Sequence, residues 1–428
     1  MKSLLNSALG LSLVVAGATA ASAGELTIAT VNNGHMIEMQ KLTPKFEEAN
    51  PGITVNWVTL DEGTLRSRVT TDITTKGGQF DIMTIGMYEA PIWGSRGWLE
   101  ALEFGDDYDV DDILPAMRGG LSHEGTLYAA PFYGESSMIM YRKDLMDAAG
   151  MEMPDNPSWG HVADAAAAMT DKDAGQYGIC LRGKPGWGDN MAFLTTMANS
   201  FGAQWFNEDW TPALDSPAWN HAVSFYVDLL NNYGPPGSSA NSFNEILALM
   251  NEGKCGMWID ATIAASFLTN ENMAYAQAPQ AITTRGANWL WAWSLAIPAG
   301  TQQKEDAMKF MEWATSKDYI ELVAETNGWG AVPTGTRQST YDNPNFQEAA
   351  AFADAELAAI LSAQPENSTQ NPSPYVGVQF AAIPEFQAIG TAVGQQMTAA
   401  LAGDITVEEA LENAQNAADR EMRKAGYY

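Results

Sequence analysis

The chain has 428 residues, of which 46% are hydrophobic and 17% charged, and its 52 Asp and Glu against 22 Lys and Arg give a formal charge of -30. So acidic a protein repels phosphodiester backbones and anionic lipid, which argues against nucleic acid or a membrane surface as partner. A length of about 400 residues behind a short leader exceeds one usual hydrophobic core, so two domains are expected.

Lys2, the apolar run Ala8 to Ala18 and the small residues Ala21-Ser22-Ala23 follow the tripartite plan of a secretory signal peptide, residues 1–23, cleaved after Ala23. No cysteine lies near Gly24, so a lipid anchor is not expected there, and a soluble periplasmic protein is. No later stretch approaches the roughly 18 to 20 apolar residues that span a bilayer.

From Leu26 to Val31 the sequence reads as a strand that ends in the polar loop Asn32-Asn33-Gly34. Met39, Leu42, Phe46 and Ala49 then recur at helical spacing up to Asn50-Pro51-Gly52, with Pro44 expected to kink the helix or mark its true start. Ile53 to Leu60 alternates as a second strand. Leu65, Val69 and Ile73 give a second amphipathic helix closed by Gly77-Gly78, and Phe80 to Ile85 a third strand. Strand and helix in alternation predict an α/β fold with a parallel sheet. A short extended piece, Thr126 to Phe132, then leads into an apolar run, Met138 to Tyr141, and a second helix-and-strand series runs from Trp159 to about Ile259 with strands at Tyr177 to Leu181 and Gly256 to Ile259. The chain turns extended again from Ala278 to Arg285, and Trp289 to Pro298 reads as a strand returning to a sheet. The rest is largely helical: Ala307 to Trp313, Tyr319 to Glu325, Ala349 to Leu361, Phe386 to Leu401 and Val407 to Lys424, with a long loop at Gln364 to Tyr375.

Catalytic signatures are missing from the sequence: there is no Gly-x-Ser-x-Gly, no His-Glu-x-x-His, no Walker loop and no Gly-x-Gly-x-x-Gly opening a helix. The four histidines, His35, His123, His161 and His221, are scattered without ligand spacing. Asp107, Asp109 and Asp111 alternate as in a calcium loop. Asp112 stands where such a loop needs Gly and Arg118 where it needs Glu, so a solvated acidic turn is expected. Cys180 and Cys255 leave open a single disulfide or two buried thiols, and without a Cys-x-x-Cys no redox or zinc role is expected. No cofactor is expected either.

The positive signal is aromatic. Of 14 tryptophans, Trp93, Trp187 and Trp329 sit in Gly-rich loops, where core residues are uncommon. A polyol offers C–H edges to an indole face and hydroxyls to carboxylates and Arg forks, so this set points to a carbohydrate-type site. Trp289, Trp291 and Trp293 alternate onto one strand face, and Trp291 or Trp293 is expected to reach the ligand. Arg182, Trp187 and Trp93, at strand ends, are candidates on this chemistry alone.

Several motifs, taken in order, resemble the extracytoplasmic solute-binding proteins of ABC importers, in the group that includes maltose-binding protein. They are Phe46-Glu47-Glu48-Ala49-Asn50-Pro51-Gly52-Ile53, Phe80-Asp81-Ile82, Gly97-Trp98-Leu99, Tyr128-Ala129-Ala130-Pro131-Phe132, Tyr141-Arg142-Lys143-Asp144-Leu145, Met250-Asn251-Glu252-Gly253-Lys254 and Met257-Trp258-Ile259. In Asn32 to Met39, Met87 to Trp93 and Trp289 to Trp293 the chain is most similar to sorbitol- and mannitol-binding receptors. The resemblance implies two α/β lobes with a ligand cleft between them, 24–133 with 286–333 and 134–285 with 334–428. The lobes would be joined by crossings near Phe132, Ala281 and Pro333. It also implies ligand contacts at Asn33, Tyr88, Glu89, Glu135, Asp260 and Trp329. Tyr88 stands where maltose receptors place a carboxylate, which disfavours a linear oligosaccharide. The implied protein is a monomeric periplasmic receptor, not an enzyme, that takes a sugar alcohol or related monosaccharide and delivers it to membrane permease subunits by hinge closure. A secreted glycoside hydrolase, with paired carboxylates in a Trp-lined cleft, is the enzyme alternative; a carrier for another sugar or for chemosensing is the other.

Overall fold

The computed structural model describes residues 24–428, and the expected signal peptide lies outside the described residues. The strands are β1 (Gly24–Val31), β2 (Ile53–Leu60), β3 (Ile82–Ile85), the short pair β4 (Ser122–His123) and β5 (Thr126–Leu127), β6 (Ala130–Glu135), β7 (Ser137–Arg142), β8 (Met257–Ala261), β9 (Met273–Gln277) and β10 (Trp291–Ala296). They form two main sheets, one in the order β2-β1-β3-β10-β6 and one in the order β8-β7-β9. In the first sheet β1 runs parallel to β2 and β3, as strand–helix alternation requires, whereas the late strand β10 inserts antiparallel between β3 and β6.

The helices α1 (Gly34–Ala49) and α2 (Glu62–Thr75) cover this sheet with the stripes the sequence shows, Met39, Leu42 and Phe46 on one and Leu65, Val69 and Ile73 on the other, all buried. Pro44 neither starts nor breaks α1, which is continuous through it. Burial of Met39, Leu42 and Phe46 on either side offsets an interior proline cost of about 3 kcal/mol. Asp61 starts α2 by accepting from Thr64 N at 3.2 Å, and Lys76 ends it in the left-handed region.

Two expected elements take a different form. Tyr177 to Leu181 makes only isolated parallel bridges, Tyr177 to Cys255 and Cys180 to Trp258. At Gly178 the backbone lies instead against the helix Trp159–Met169, where an added Cβ would stand 1.8 Å from Ala166 O. The helix foreseen over Ala349 to Leu361 is two, Pro344–Ala349 and Ala353–Ser362. Cys180 and Cys255 are joined in a disulfide, Cα to Cα 6.0 Å, beside those bridges. The acidic turn is engaged by cations: Asp109 and Asp112 meet Lys317 at 2.7 and 3.5 Å, and Arg337 reaches Asp112 at 3.3 Å.

The two sheets are joined where β6 passes through Ser136 into β7, and again through residues 278–290 between β9 and β10. Strand β6 keeps the chain in the first sheet to Glu135, slightly beyond the expected boundary at 133. Nor does the chain leave the first side at Pro333. Leu114 N donates to Thr336 O at 2.8 Å and Arg337 is tied to Thr315 O and Asp112, so the last crossing falls between Ser339 and the helix Ala353–Ser362, which packs on the second sheet.

At this junction two backbones touch. Gly134 N donates to Thr334 O at 2.8 Å, and a Cβ on Gly335, whose φ is +77°, would stand 2.0 Å from Gly134 O. Glu356, fully buried, accepts from Thr334 Oγ1 at 3.0 Å and Tyr341 Oη at 2.7 Å, and burial raises its carboxyl to about 7. Gly335→Ala should therefore cost about 1–3 kcal/mol in urea unfolding, and an unchanged midpoint would contradict this account. The Glu356 carboxyl titrates near 4.5 when unfolded and about 7 when folded. Its contribution to stability is then complete below pH 4.5 and lost as the pH rises through about 7. Unfolding measured across that window should show the loss in the wild type and a flatter profile in Glu356→Gln.

Candidate ligand-binding site

Between the two sheets lies a cavity of about 190 Å³. That volume falls below the roughly 300 Å³ at which ordinary ligand clefts begin. That is space for one small molecule and not for an extended chain. One wall comes from the first sheet and its helices: Asn33 after β1, Asp61, Glu62 and Arg66 at the start of α2, and Tyr133 and Glu135 on β6. The facing wall carries Arg182, Lys184, Trp187, Gly188 and Ser242 to Glu245, and Trp289, Trp291, Trp293 and Gln379 complete the ring.

The two walls are in contact. Asn244 Nδ2 donates to Asn32 O at 2.9 Å, Lys184 Nζ lies 4.0 Å from Asp61, and Thr70 Oγ1 meets Gln387 Oε1 at 3.1 Å. Tyr88 Oη donates to Ile383 O at 3.1 Å, and the His35 and Phe267 rings sit 4.7 Å apart. Gly34 permits this last approach, since a Cβ there would stand 2.3 Å from the Phe267 ring. The arrangement is a closed one.

Two buried arginines build the walls. Arg66 Nε and Nη2 donate to Glu62 Oε1 at 3.0 and 2.8 Å, and Nη1 donates to Glu89 Oε1 at 2.7 Å. Its guanidinium lies 4.0 Å from the Trp187 ring centre and 4.8 and 4.7 Å from those of Trp291 and Trp293. Opposite, Arg182 forms a two-toothed pair with Asp260 at 2.7 and 2.6 Å and gives Nη1 to Gly188 O at 2.9 Å. Asp260 also takes Trp258 Nε1 at 2.9 Å and Ala261 N at 2.6 Å. Every guanidinium nitrogen of both residues is thus engaged within the protein.

The lining residues also carry polar atoms without a protein partner. Asn33 Nδ2 donates to Tyr133 Oη, while Asn33 Oδ1, Trp187 Nε1 and Trp289 Nε1 are buried without a partner. Glu135 is 7% exposed and has neither a hydrogen bond nor an ion pair from its carboxylate among the described residues. Burial first of all drives that carboxyl well above its usual range; Arg182 pulls it back, and Asp260, Glu62 and Glu356 push it further up. Two donors and two acceptors in a small dry space match the alternation of a polyhydroxylated molecule, whose hydroxyls both give and accept.

Of the residues singled out in the sequence, Asn33, Glu135, Arg182, Trp187, Trp291 and Trp293 line this cavity. Asp260 and Glu89 stand behind it, each holding an arginine that does line it. Glu89 sits in the first turn of the helix Glu89–Ser95 and accepts Gly86 N at 3.0 Å, which points its carboxylate away from the cleft. Tyr88 is likewise behind the wall, its ring 5.0 Å from Trp187. Trp93 is buried within the hydrophobic core and does not line the cavity. Trp329 is half-buried in a short turn (Trp329–Ala331) packed near Thr262–Phe267, off the cavity.

The sequence reading missed Asp61, Glu62, Arg66, Tyr133, Trp289 as a donor, and Gln379. Alternation along β6 puts Tyr133 on the face of Glu135, and one helical turn puts Arg66 beside Glu62, so both had a signal. Gln379, from an irregular segment, had none.

A model of the bacterial extracellular solute-binding protein family matches residues 33–321 of the chain. The mannitol-binding protein of Pseudomonas aeruginosa is 51% identical over 416 residues, covering 95% of both chains. The crystal structure of an ABC transporter solute-binding protein from Agrobacterium vitis with bound D-mannitol shares 58% identity, covers 94% of this chain and 99% of that one, and superposes with a TM-score of 0.93. A ribitol complex from Agrobacterium radiobacter, at 23% identity and TM-score 0.80, shares the fold.

Removing Asp260 leaves Arg182 a buried cation without its partner, so Asp260→Ala should lose about 3–5 kcal/mol of stability with no ligand present. Urea unfolding of the free protein measures it. A variant as stable as the wild type would place Asp260 outside the scaffold.

Proposed function

The chain belongs to the bacterial extracellular solute-binding protein family, which binds and does not transform its solutes, and on that premise we propose that it captures a hexitol, D-mannitol first, in the cavity between its two sheets. The observation that carries this reading is the cavity itself: small, and lined by Asn33, Glu135, Trp187 and Trp289, whose Asn33 Oδ1, Glu135 carboxyl, Trp187 Nε1 and Trp289 Nε1 have no protein partner. A linear hexitol supplies hydroxyls to each. The mannitol-bound relative at 58% identity supports the same ligand class.

The mechanism is closure. The first body comprises the β2-β1-β3-β10-β6 sheet with its helices, the second the β8-β7-β9 sheet with the C-terminal helices, and the crossings at Ser136, at 278–290 and after Ser339 act as the hinge. A ligand that touches both walls binds the closed form better than the open one and shifts the population toward it. The contacts Asn244 to Asn32, Thr70 to Gln387 and Arg66 over Trp187 exist only while the walls meet. In the periplasm, reached by way of the signal peptide, the closed form would hand its ligand to the membrane subunits of an ABC importer.

Titration calorimetry of the purified protein should give a dissociation constant for D-mannitol of about micromolar or tighter. Glu135→Ala should weaken it by about 1–3 kcal/mol, whereas Trp93→Phe, in the core, should bind as the wild type does. No heat with mannitol, sorbitol or a pentitol would end this assignment.

A further inference from the structure

Among the described residues that line the cavity, the charges do not balance. Asp61, Glu62, Glu135 and Glu245 bring carboxylates, and Arg66, Arg182 and Lys184 bring cations. Arg66 is matched by Glu62 and, from behind, Glu89, and Arg182 by Asp260. Glu245 closes its own helix end on Ser242 N at 3.0 Å, and Lys184, 39% exposed at the rim, faces Asp61 at 4.0 Å. The remainder is Glu135, more than nine-tenths buried, with no hydrogen bond or ion pair from its carboxylate and lining the cavity. Ionised, that carboxyl is costly unless something pairs with it, and in the empty cavity burial favours its neutral form, so a cation that pairs with it also draws off its proton.

Resting on the polyol reading above, we propose that the site also takes a protonated amino-polyol, a 1-amino-1-deoxyhexitol, with its ammonium paired to Glu135, and that it rejects the corresponding aldonate or phosphate. An ammonium is a compact triple donor that replaces a terminal hydroxyl with little change of size. At Glu135 it meets an unshared carboxylate in a water-poor space, where a charge-assisted hydrogen bond is about twice as strong as a neutral one. The Asn33 Oδ1, Trp187 Nε1 and Trp289 Nε1 positions remain for the hydroxyls of the rest of the chain. An anion finds the opposite situation. Both guanidinium charges are already matched, Arg66 by Glu62 and Glu89 and Arg182 by Asp260, and Lys184 stands at the rim against Asp61, so a carboxylate or phosphate would add negative charge beside Glu135 with no unmatched cation within the cavity to offset it.

The test is calorimetry on the full mature protein at neutral pH with D-mannitol, 1-amino-1-deoxy-D-mannitol and D-mannonate, repeated on Glu135→Gln. The wild type should bind the amine at least about as tightly as mannitol and give no detectable heat with mannonate. In Glu135→Gln the amine should weaken by about tenfold or more beyond whatever loss mannitol shows. A wild type that binds mannitol but not the amine, or that binds mannonate as well as mannitol, overturns this inference and leaves the polyol assignment standing. Equal losses for amine and mannitol in Glu135→Gln also overturn it. A wild type that binds none of the three overturns both. The wild-type arm decides the matter even where the variant fails to fold.

Discussion

Two guanidinium groups taken out of water hold this site together. Arg66 and Arg182 are each about 5% exposed, and each costs several kcal/mol to desolvate unless its donors are filled. Glu62 and Glu89 fill the first, Asp260 and Gly188 O the second. These pairings fix where the walls of the cavity stand. Asp260 in turn holds Trp258 Nε1 and the backbone of Ala261, so the end of β8 and the Arg182 segment are pinned as one piece. Arg66 also reaches across to the Trp187 ring, which belongs to the opposite wall. The same cation therefore satisfies charge within one body and provides an attractive contact to the other.

That bridging role changes what the tryptophans do. An indole near a sugar site invites the reading that its face stacks on ligand C–H groups. Here the Trp187 face meets Arg66 at 4.0 Å, Trp291 and Trp293 stand edge to face 5.6 Å apart, and Trp291 packs down on Gly86, where a Cβ would lie 2.0 Å from its ring. The indoles of Trp187, Trp291 and Trp293 pack around the Arg66 guanidinium, and Trp187 and Trp289 bring to the lining indole N–H groups that have no protein partner. This packing and these donors together account for a cleft that is rich in aromatics and yet polar.

Closure depends on small residues at the junction. Gly134 and Gly335 let β6 and the segment after Pro333 touch backbone to backbone, and Gly34 lets Phe267 close over α1. Glu356 ties Thr334 and Tyr341 beside the first of these contacts, so the junction carries its own titratable group, distinct from Glu135 in the cavity. A change of protonation at Glu356 acts on the crossing segments, and one at Glu135 acts on the cavity wall.

Much of the scaffold was legible in the chain itself. The strands Ile53–Leu60 and Ser137–Arg142, the stripes Leu65-Val69-Ile73 and Met39-Leu42-Phe46, and the long C-terminal helices follow from periodicity, because burial of one face is a local property that repeats along the sequence. The sequence could also nominate Asn33, Glu135, Arg182, Trp187, Trp291 and Trp293, since they fall at strand ends and in crossing strands. It could not tell a residue that faces the cavity from one that stands behind it. Glu89 and Asp260 look like ligand carboxylates until Arg66 and Arg182 are seen paired to them, and Trp93 looks like a platform until it is seen buried in the core away from the cavity. Those distinctions depend on partners 23 and 78 residues away in the chain, for Arg66 with Glu89 and Arg182 with Asp260. Pairing at that distance is set by how the sheets and helices pack, and so it was decided by the tertiary structure alone.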